Sequence, residues 1–511
     1  MLIVAAMTAL SFTAAPFVAY DPAFGWLRWT SLLQGAPFDA TLGPDPADIS
    51  RDIVQTESWW SPGQYLAPGL LTLTGMRLGT AIVLIAALGN LATLLGWIAV
   101  ARAFTLGPTV ALAATAAIAA FRYASSAYGL YSGGEILLQA ATPWLVLAAW
   151  RVPRATALTA ALLAFGAVAV GFIAKLNGLI VMAAALVASG ALALHRTRRV
   201  TPGLIGGALG AALVAALIYV FWFATKPMTH FSGGGEGFGV VRLLFALSAP
   251  WTAALSWQDF LVWLLQTPGR VVVADDAPLA LVGLAPLAAL LAAAFAFDRN
   301  APDPERALRR FACVTLAGFT ALMLVLYLRD APIPLEERHF RPVSMLLFLC
   351  LLAQALRPGT RRAIRTGLLG LFGAMACYGL ASFAARIVTA QHQTVDLYSW
   401  TRQPNADAEV LAAIQQAFAA QGRETLFYLG APELAAALPY NARMIVDAPG
   451  LMSEAAITAT PYRGRAKGAV IVLVSHDLPQ AKAAAILRSF VDYDPGGWRK
   501  TETAGATLYR Q

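Results

Sequence analysis

The side chains able to do chemistry in this chain are few, and most stand at the ends of long apolar runs. Asp21, in VAYDPAFGWLRW, directly follows the first run. A carboxylate fixed at the end of a rigid element suits a general base. An Asp-Pro pair that ends a helix is the plainer reading. Downstream, Asp39, Asp45, Asp48, Asp52 and Glu57 crowd one segment. They suit a metal ion, the hydroxyls of a sugar, or simply a solvated acidic loop. Asp52 and Glu57 stand out because they lead into WWSPGQYL. The faces of Trp59, Trp60 and Tyr65 suit sugar rings, and tryptophans equally anchor a chain at a membrane surface.

A second group is mainly cationic. Glu135 opens an apolar run after YASSAYGLYSGG, with Arg122 and Tyr123 shortly upstream. The helix dipole alone would favour an acid there. Lys175 lies in GFIAKLNGLI, at a break between two apolar runs. A lysine so placed is costly unless it snorkels or meets an anion, and a lipid phosphate would be such an anion. The segment PLEERHFRPVSMLLF gathers Glu336, Glu337, Arg338, His339 and Arg341. Guanidinium forks match phosphate geometry, so the group could clamp a phosphate or pyrophosphate; an interfacial charge cluster is the alternative. No Ser/His/Asp arrangement and no HExxH occurs, and the five histidines are scattered. Hydrolase chemistry and a histidine metal site therefore have no support.

The elements that position these residues must be membrane spans. Of 511 residues, 58% are hydrophobic and 13% charged, against about 25% charged in a soluble domain. That excludes a soluble enzyme, a disordered chain and a nucleic-acid-binding module. A span needs about 20 apolar residues, which gives about 11 candidates. They cover 2–19, 78–101, 106–121, 135–150, 156–174, 177–194, 203–223, 279–297, 311–328, 343–356 and 366–385. Cys313, Cys350 and Cys377 all lie in apolar stretches, so no disulfide framework is expected.

With the N-terminus in the cytoplasm, the short inner loops hold fourteen basic residues against three acids. The positive-inside rule selects that topology. It places the long loops 20–77 and 224–278, and the tail 386–511, outside the cytoplasm. In the first loop, GQYLAPGLLTL is apolar but too short to span and is expected to lie at the interface. In the second, a Gly-rich run at 231–239 suits a lid, and Trp251, Trp257 and Trp263 suggest an interfacial belt. The tail has the composition of a soluble α/β domain. Helices are expected at 406–420 and 479–491, strands at 424–429, 443–447 and 468–474, and a hairpin turning at Ala504-Gly505. It carries no GxGxxG, Walker loop or metal-spaced His/Cys set. The fold class is thus a polytopic α-helical membrane protein, 1–385, with a C-terminal α/β domain, 386–511.

The order and side of these pieces resemble the GT-C class of integral-membrane glycosyltransferases. The likeness is nearest to the bacterial branch related to protein mannosyltransferases and the lipid A aminoarabinose transferase. It rests on YDPAFGWLRWTSLLQGAPF after the first span, WSPGQYLAP before the second, YSGGEILLQ opening the fourth, AKLNGLI between the fifth and sixth, and RHFRP before a late span. The resemblance implies a sugar donor on a polyprenyl phosphate and a lipid, polysaccharide or protein acceptor whose hydroxyl attacks with inversion. It implies a multi-pass protein of the bacterial inner membrane. The catalytic base would be Asp21, and Lys175 and Arg338, with His339 and Arg341, would meet the donor phosphate. Trp59, Trp60, Tyr65, Glu135 and Arg122 would contact substrate. The family often has two adjacent acids where Asp21 is followed by Pro22, so Asp52 or Glu57 is an alternative base. His339 stands where Tyr is commoner. No cofactor is required, and a divalent metal is an open alternative. A lipid-linked polysaccharide polymerase or ligase would work at the same face. A transporter or flippase would show midplane charges or inverted repeats, and neither is seen.

Overall fold

The computed structural model describes residues 1–56, 60–226, 239–265, 283–298, 301–329, 331, 333–403, 407–450 and 452–511. The chain divides into two compact units. The first comprises Met1–Met7, Ala86–Ala127 and Gly134–Ala385. The second comprises Thr8–Ile85, Tyr128–Gly133 and Arg386–Gln511. Residues 20–77 therefore cluster with the tail.

Among the described residues, eight helices are long and apolar enough to cross a membrane: Leu78–Ala103, Pro108–Gly129, Gly134–Arg154, Ala157–Ala174, Asn177–Thr197, Pro202–Phe223, Asp303–Leu328 and Arg362–Gln391. These are helices of a multi-pass membrane protein. The other three expected spans are shorter apolar helices, Leu2–Ser11, Ala285–Ala296 and Arg341–Leu356. The first stops early because a two-residue strand, Phe17–Val18, pairs with Leu130–Tyr131 instead of continuing the helix. One expected loop is corrected. Val240–Leu255 and Trp257–Leu264 form an apolar pair bent by 85°, with Ser256 in the left-handed conformation at the bend. The expected lid at 231–239 lies, but for Gly239, outside the described residues.

In the first unit, small residues permit close helix contact. A Cβ at Gly206 or Gly210 would strike the backbone carbonyls of Ala157 and Ala161. This is the small-xxx-small packing expected where lipid provides no hydrophobic drive. The helix Arg341–Leu356 is buried on all sides from Pro342 to Ala355, as its largely apolar sequence, interrupted by Ser344 and Gln354, requires. Beyond its C-terminal end, Arg357 makes two 2.8 Å bonds to the Asp298 carboxylate and a further one to Glu305, and Arg309 joins Asp298 at 2.8 Å. Arg338 precedes its other end.

The second unit holds the strands: β1 (Phe17–Val18), β2 (Ala40–Asp45), β3 (Asp48–Thr56), β4 (Leu130–Tyr131), β5 (Leu426–Leu429), β6 (Arg443–Val446), β7 (Val470–Ser475), β8 (Arg499–Glu502) and β9 (Ala506–Arg510). The tail sheet runs β6-β5-β7-β9-β8, with β5, β6 and β7 parallel and the β8–β9 hairpin antiparallel. Strands β5 and β7 are buried almost throughout, with helix Ala408–Gln421 contributing to one apolar cluster and Gln480–Ser489 to another. Asp407 caps the first of these helices by accepting from the Val410 N–H at 2.8 Å. The β2–β3 hairpin, with a register shift at Pro44/Asp45, and the helices Tyr20–Leu33 and Gly63–Thr72 complete the unit. The apolar GQYLAPGLLTL segment is thus helical.

Candidate active site

In the first unit, three segments far apart in sequence meet. Gly133 takes a left-handed φ of +66°, and at Gly134 a Cβ would collide with the Ala174 carbonyl. This close approach is what the Gly-Gly pair of YSGGE permits. It sets Glu135, in the first turn of Gly134–Arg151, beside Lys175. Lys175 is extended, with φ −168° and ψ 147°, and interrupts the chain between Ala157–Ala174 and Asn177–Thr197. Its Nζ pairs with Glu135 Oε1. Arg338 Nε lies 3.7 Å from the same oxygen and pairs also with Glu336.

His339 closes the group. The Asn177 amide lies 3.1 Å from its Nδ1. With that amide donating, the ring proton sits on Nε2, which is buried and has no hydrogen-bond partner among the described residues. Burial, reinforced by Lys175 and Arg338, lowers the His339 pKa to about 3, so the ring is neutral at pH 7 and presents an N–H. The guanidinium of Arg341 sits 5.2 Å from the centre of the Tyr123 ring. Glu135, Arg338 and Arg341 line a narrow cleft with Tyr123, Gln139 and Trp97. The site thus offers three cations and an orphaned N–H against two carboxylates, an arrangement suited to an anion.

Glu337 faces the other way. Thr252 donates to its Oε1, the Gln258 N–H donates to Oε2 at 2.8 Å, and the Gln258 side chain bonds the backbone of both Glu337 and Leu335. Burial outweighs these bonds and pushes the Glu337 pKa up to about 7. The Glu336 carboxyl is likewise raised by burial, opposed by Arg338. The bent pair therefore fixes the loop that presents Arg338. Arg122 is held by Asp259 at 3.2 Å, by Ser382 at 2.5 Å and against Tyr378, and it does not line the cleft.

In the second unit, Asp21 lies in the first turn of Tyr20–Leu33. It is half-buried, and its carboxylate makes no hydrogen bond or ion pair among the described residues. Beside it, burial and the carboxylates of Glu433 and Asp447 raise the pKa of Tyr20. The other expected residues here have their chemistry occupied. Asp52 is gripped by Arg443 at 2.8 Å, with Arg423 at 3.6 Å. It anchors β3 to β6, and a carboxylate so paired is a poor base. Tyr65 is 1% exposed and donates to Asp39 at 2.7 Å, where Arg28 also binds at 3.0 Å; it has no face for a sugar. Trp60 stacks on Phe24 at 5.5 Å and meets Arg28 at 5.6 Å. Glu57 and Trp59 lie outside the described residues. Among those described, no group of His, Cys, Asp and Glu is disposed to hold a metal ion.

No family model and no curated protein sequence matches the chain. Solved structures do. ArnT from Cupriavidus metallidurans, solved bound to undecaprenyl phosphate, aligns over 100% of this chain and 97% of its own, with a TM-score of 0.53 and 14% identity. The arabinofuranosyltransferase AftD from Mycobacteria aligns over 99% of this chain and 39% of its own, at a TM-score of 0.47 and 15% identity. The likeness to ArnT shows a shared fold.

Proposed function

We propose that this protein is a membrane glycosyltransferase that draws its sugar from a polyprenyl-phosphate donor. The observation that carries the reading is the meeting of Lys175, Arg338 and the unpartnered Nε2 of His339 beside Glu135. Such a site holds a phosphate through charge-assisted bonds. The fold shared with ArnT, whose structure holds undecaprenyl phosphate, supports a lipid phosphate over a soluble one. A donor with a polyprenyl tail stays in the bilayer, so its headgroup must be met at a membrane surface. The distribution of basic loop residues supports the outer face of the membrane as that surface, with the tail outside the cytoplasm.

In the proposed reaction Asp21 takes the proton of an acceptor hydroxyl. The hydroxyl oxygen bonds to the anomeric carbon with inversion as the bond from that carbon to the phosphate oxygen breaks. The electron pair stays on the phosphate, where Lys175, Arg338 and His339 stabilise the growing charge. Arg341, which lines the cleft with Arg338 and Glu135, is a further cation. Asp21 suits its role because its carboxylate is unpaired, unlike that of Asp52.

The test is turnover by the purified protein on a panel of undecaprenyl-phosphate sugars, read as release of undecaprenyl phosphate. Release with at least one donor, lowered at least about 100-fold in Asp21→Asn, is expected. No release from any donor with any envelope acceptor would overturn the reading.

A further inference from the structure

A groove in the second unit has no part in the reaction above. It encloses about 580 Å³, within the roughly 300–1,000 Å³ of sites that hold small ligands. Trp26, Trp29 and Leu33 of helix Tyr20–Leu33 and Ile414 and Phe418 of helix Ala408–Gln421 line it. Among the described residues, its single charged lining residue is Arg77. The Arg77 side chain is exposed and makes no hydrogen bond or ion pair among the described residues. Leu33 and Tyr440, also in the lining, are 43% and 54% exposed.

The position of Arg77 narrows the occupant. The next residue, Leu78, begins a membrane-length helix. The guanidinium therefore stands at the end of a span, at the level of lipid headgroups. An apolar groove with one unpaired guanidinium would be satisfied at both ends by an acyl chain carrying a phosphate. The fork geometry of Arg suits that phosphate, and the chain would cover the exposed apolar lining. A soluble anion would leave the groove empty, and a neutral lipid would leave Arg77 unpaired.

We propose that this groove seats an acyl chain of an anionic bilayer phospholipid, with the lipid phosphate on Arg77. The groove shares no lining residue with the Lys175–Arg338 cluster and requires neither sugar donor nor turnover, so it stands or falls apart from the glycosyl-transfer reading.

The test is native mass spectrometry of the full chain in detergent, with phosphatidylglycerol or phosphatidylcholine added. Wild type is expected to retain phosphatidylglycerol in preference to phosphatidylcholine. Arg77→Glu, which removes a charge-assisted bond, should lower that retention about tenfold or more. Ala419→Trp, which fills the groove from one wall, should lower it similarly while leaving Arg77 intact. Leu33→Trp makes the same test from the opposite wall should Ala419→Trp unfold. Equal retention of both lipids, unchanged in Arg77→Glu, would overturn the proposal. So would displacement by inorganic phosphate with no effect of either tryptophan, which would mark a free-phosphate site.

Discussion

Two regions promise ligand chemistry, and they differ in what their polar groups are already doing. In the acidic first loop, Asp52 is spent on Arg443 and Tyr65 on Asp39. In the break between two spans, Lys175, Arg338 and His339 meet around Glu135, and the His339 Nε2–H is unspent. The first region owes its polarity to holding a hairpin and a sheet together. The second keeps donors in reserve where two membrane helices part. Asp21 differs from Asp52 and Asp39, since its carboxylate is unpaired among the described residues.

The comparison can be broken by substitution. Asp21→Asn should lower donor turnover by about 10²–10⁴, the range for a lost general base, with the protein still folded in detergent. Arg338→Ala should cost about 10²–10³ in turnover, as expected for a lost stabiliser of developing charge. His339→Phe keeps the volume but removes the Nε2–H, and should cost about tenfold, the worth of one hydrogen bond to a charged group. Asp52→Asn should leave turnover per folded molecule unchanged and instead lower unfolding stability by about 1–3 kcal/mol, discounted for its partial exposure.

The smallest effect is pH-dependent. Glu337 is raised from the ordinary 4.5 to about 7, so the folded protein binds its proton more tightly than the unfolded chain. Its contribution is complete below about pH 4.5 and is lost as pH rises through about 7. Relative to Glu337→Gln, wild type should lose thermal stability across that window. A constant difference between the two would show that Glu337 does not hold its proton.

The cationic region was largely legible because its signals are local and costly. A lysine between two apolar runs, a Gly-Gly-Glu at a helix start and Arg-His-Phe-Arg before a helix each demand an explanation within a few residues. The pairings of the acidic loop were not legible because its partners are remote. Asp52 meets Arg443 across 391 positions, and nothing in either segment announces the pair. The supports of Glu337 were hidden in the same way. Thr252 and Gln258 belong to helices Val240–Thr252 and Trp257–Leu265, whose Trp-rich sequence reads as a loop because the bend at Ser256 divides it into pieces too short to span. The tail was readable because its central strands are short, continuous apolar runs bounded by turn residues, and its helices and strands fall within a few residues of expectation. Helix Leu2–Ser11 is shorter than its apolar run because the pairing of Phe17–Val18 with Leu130–Tyr131 is a tertiary event.

The central claim is that the Lys175–Arg338–His339 cluster is a lipid-phosphate site. Its most direct test is equilibrium binding of undecaprenyl phosphate to wild type, Arg338→Ala, Lys175→Met and Asp52→Asn in one detergent. Affinity should fall about 10–100-fold in each of the first two variants and be unchanged in Asp52→Asn. Wild-type affinity in both Arg338→Ala and Lys175→Met would contradict the claim.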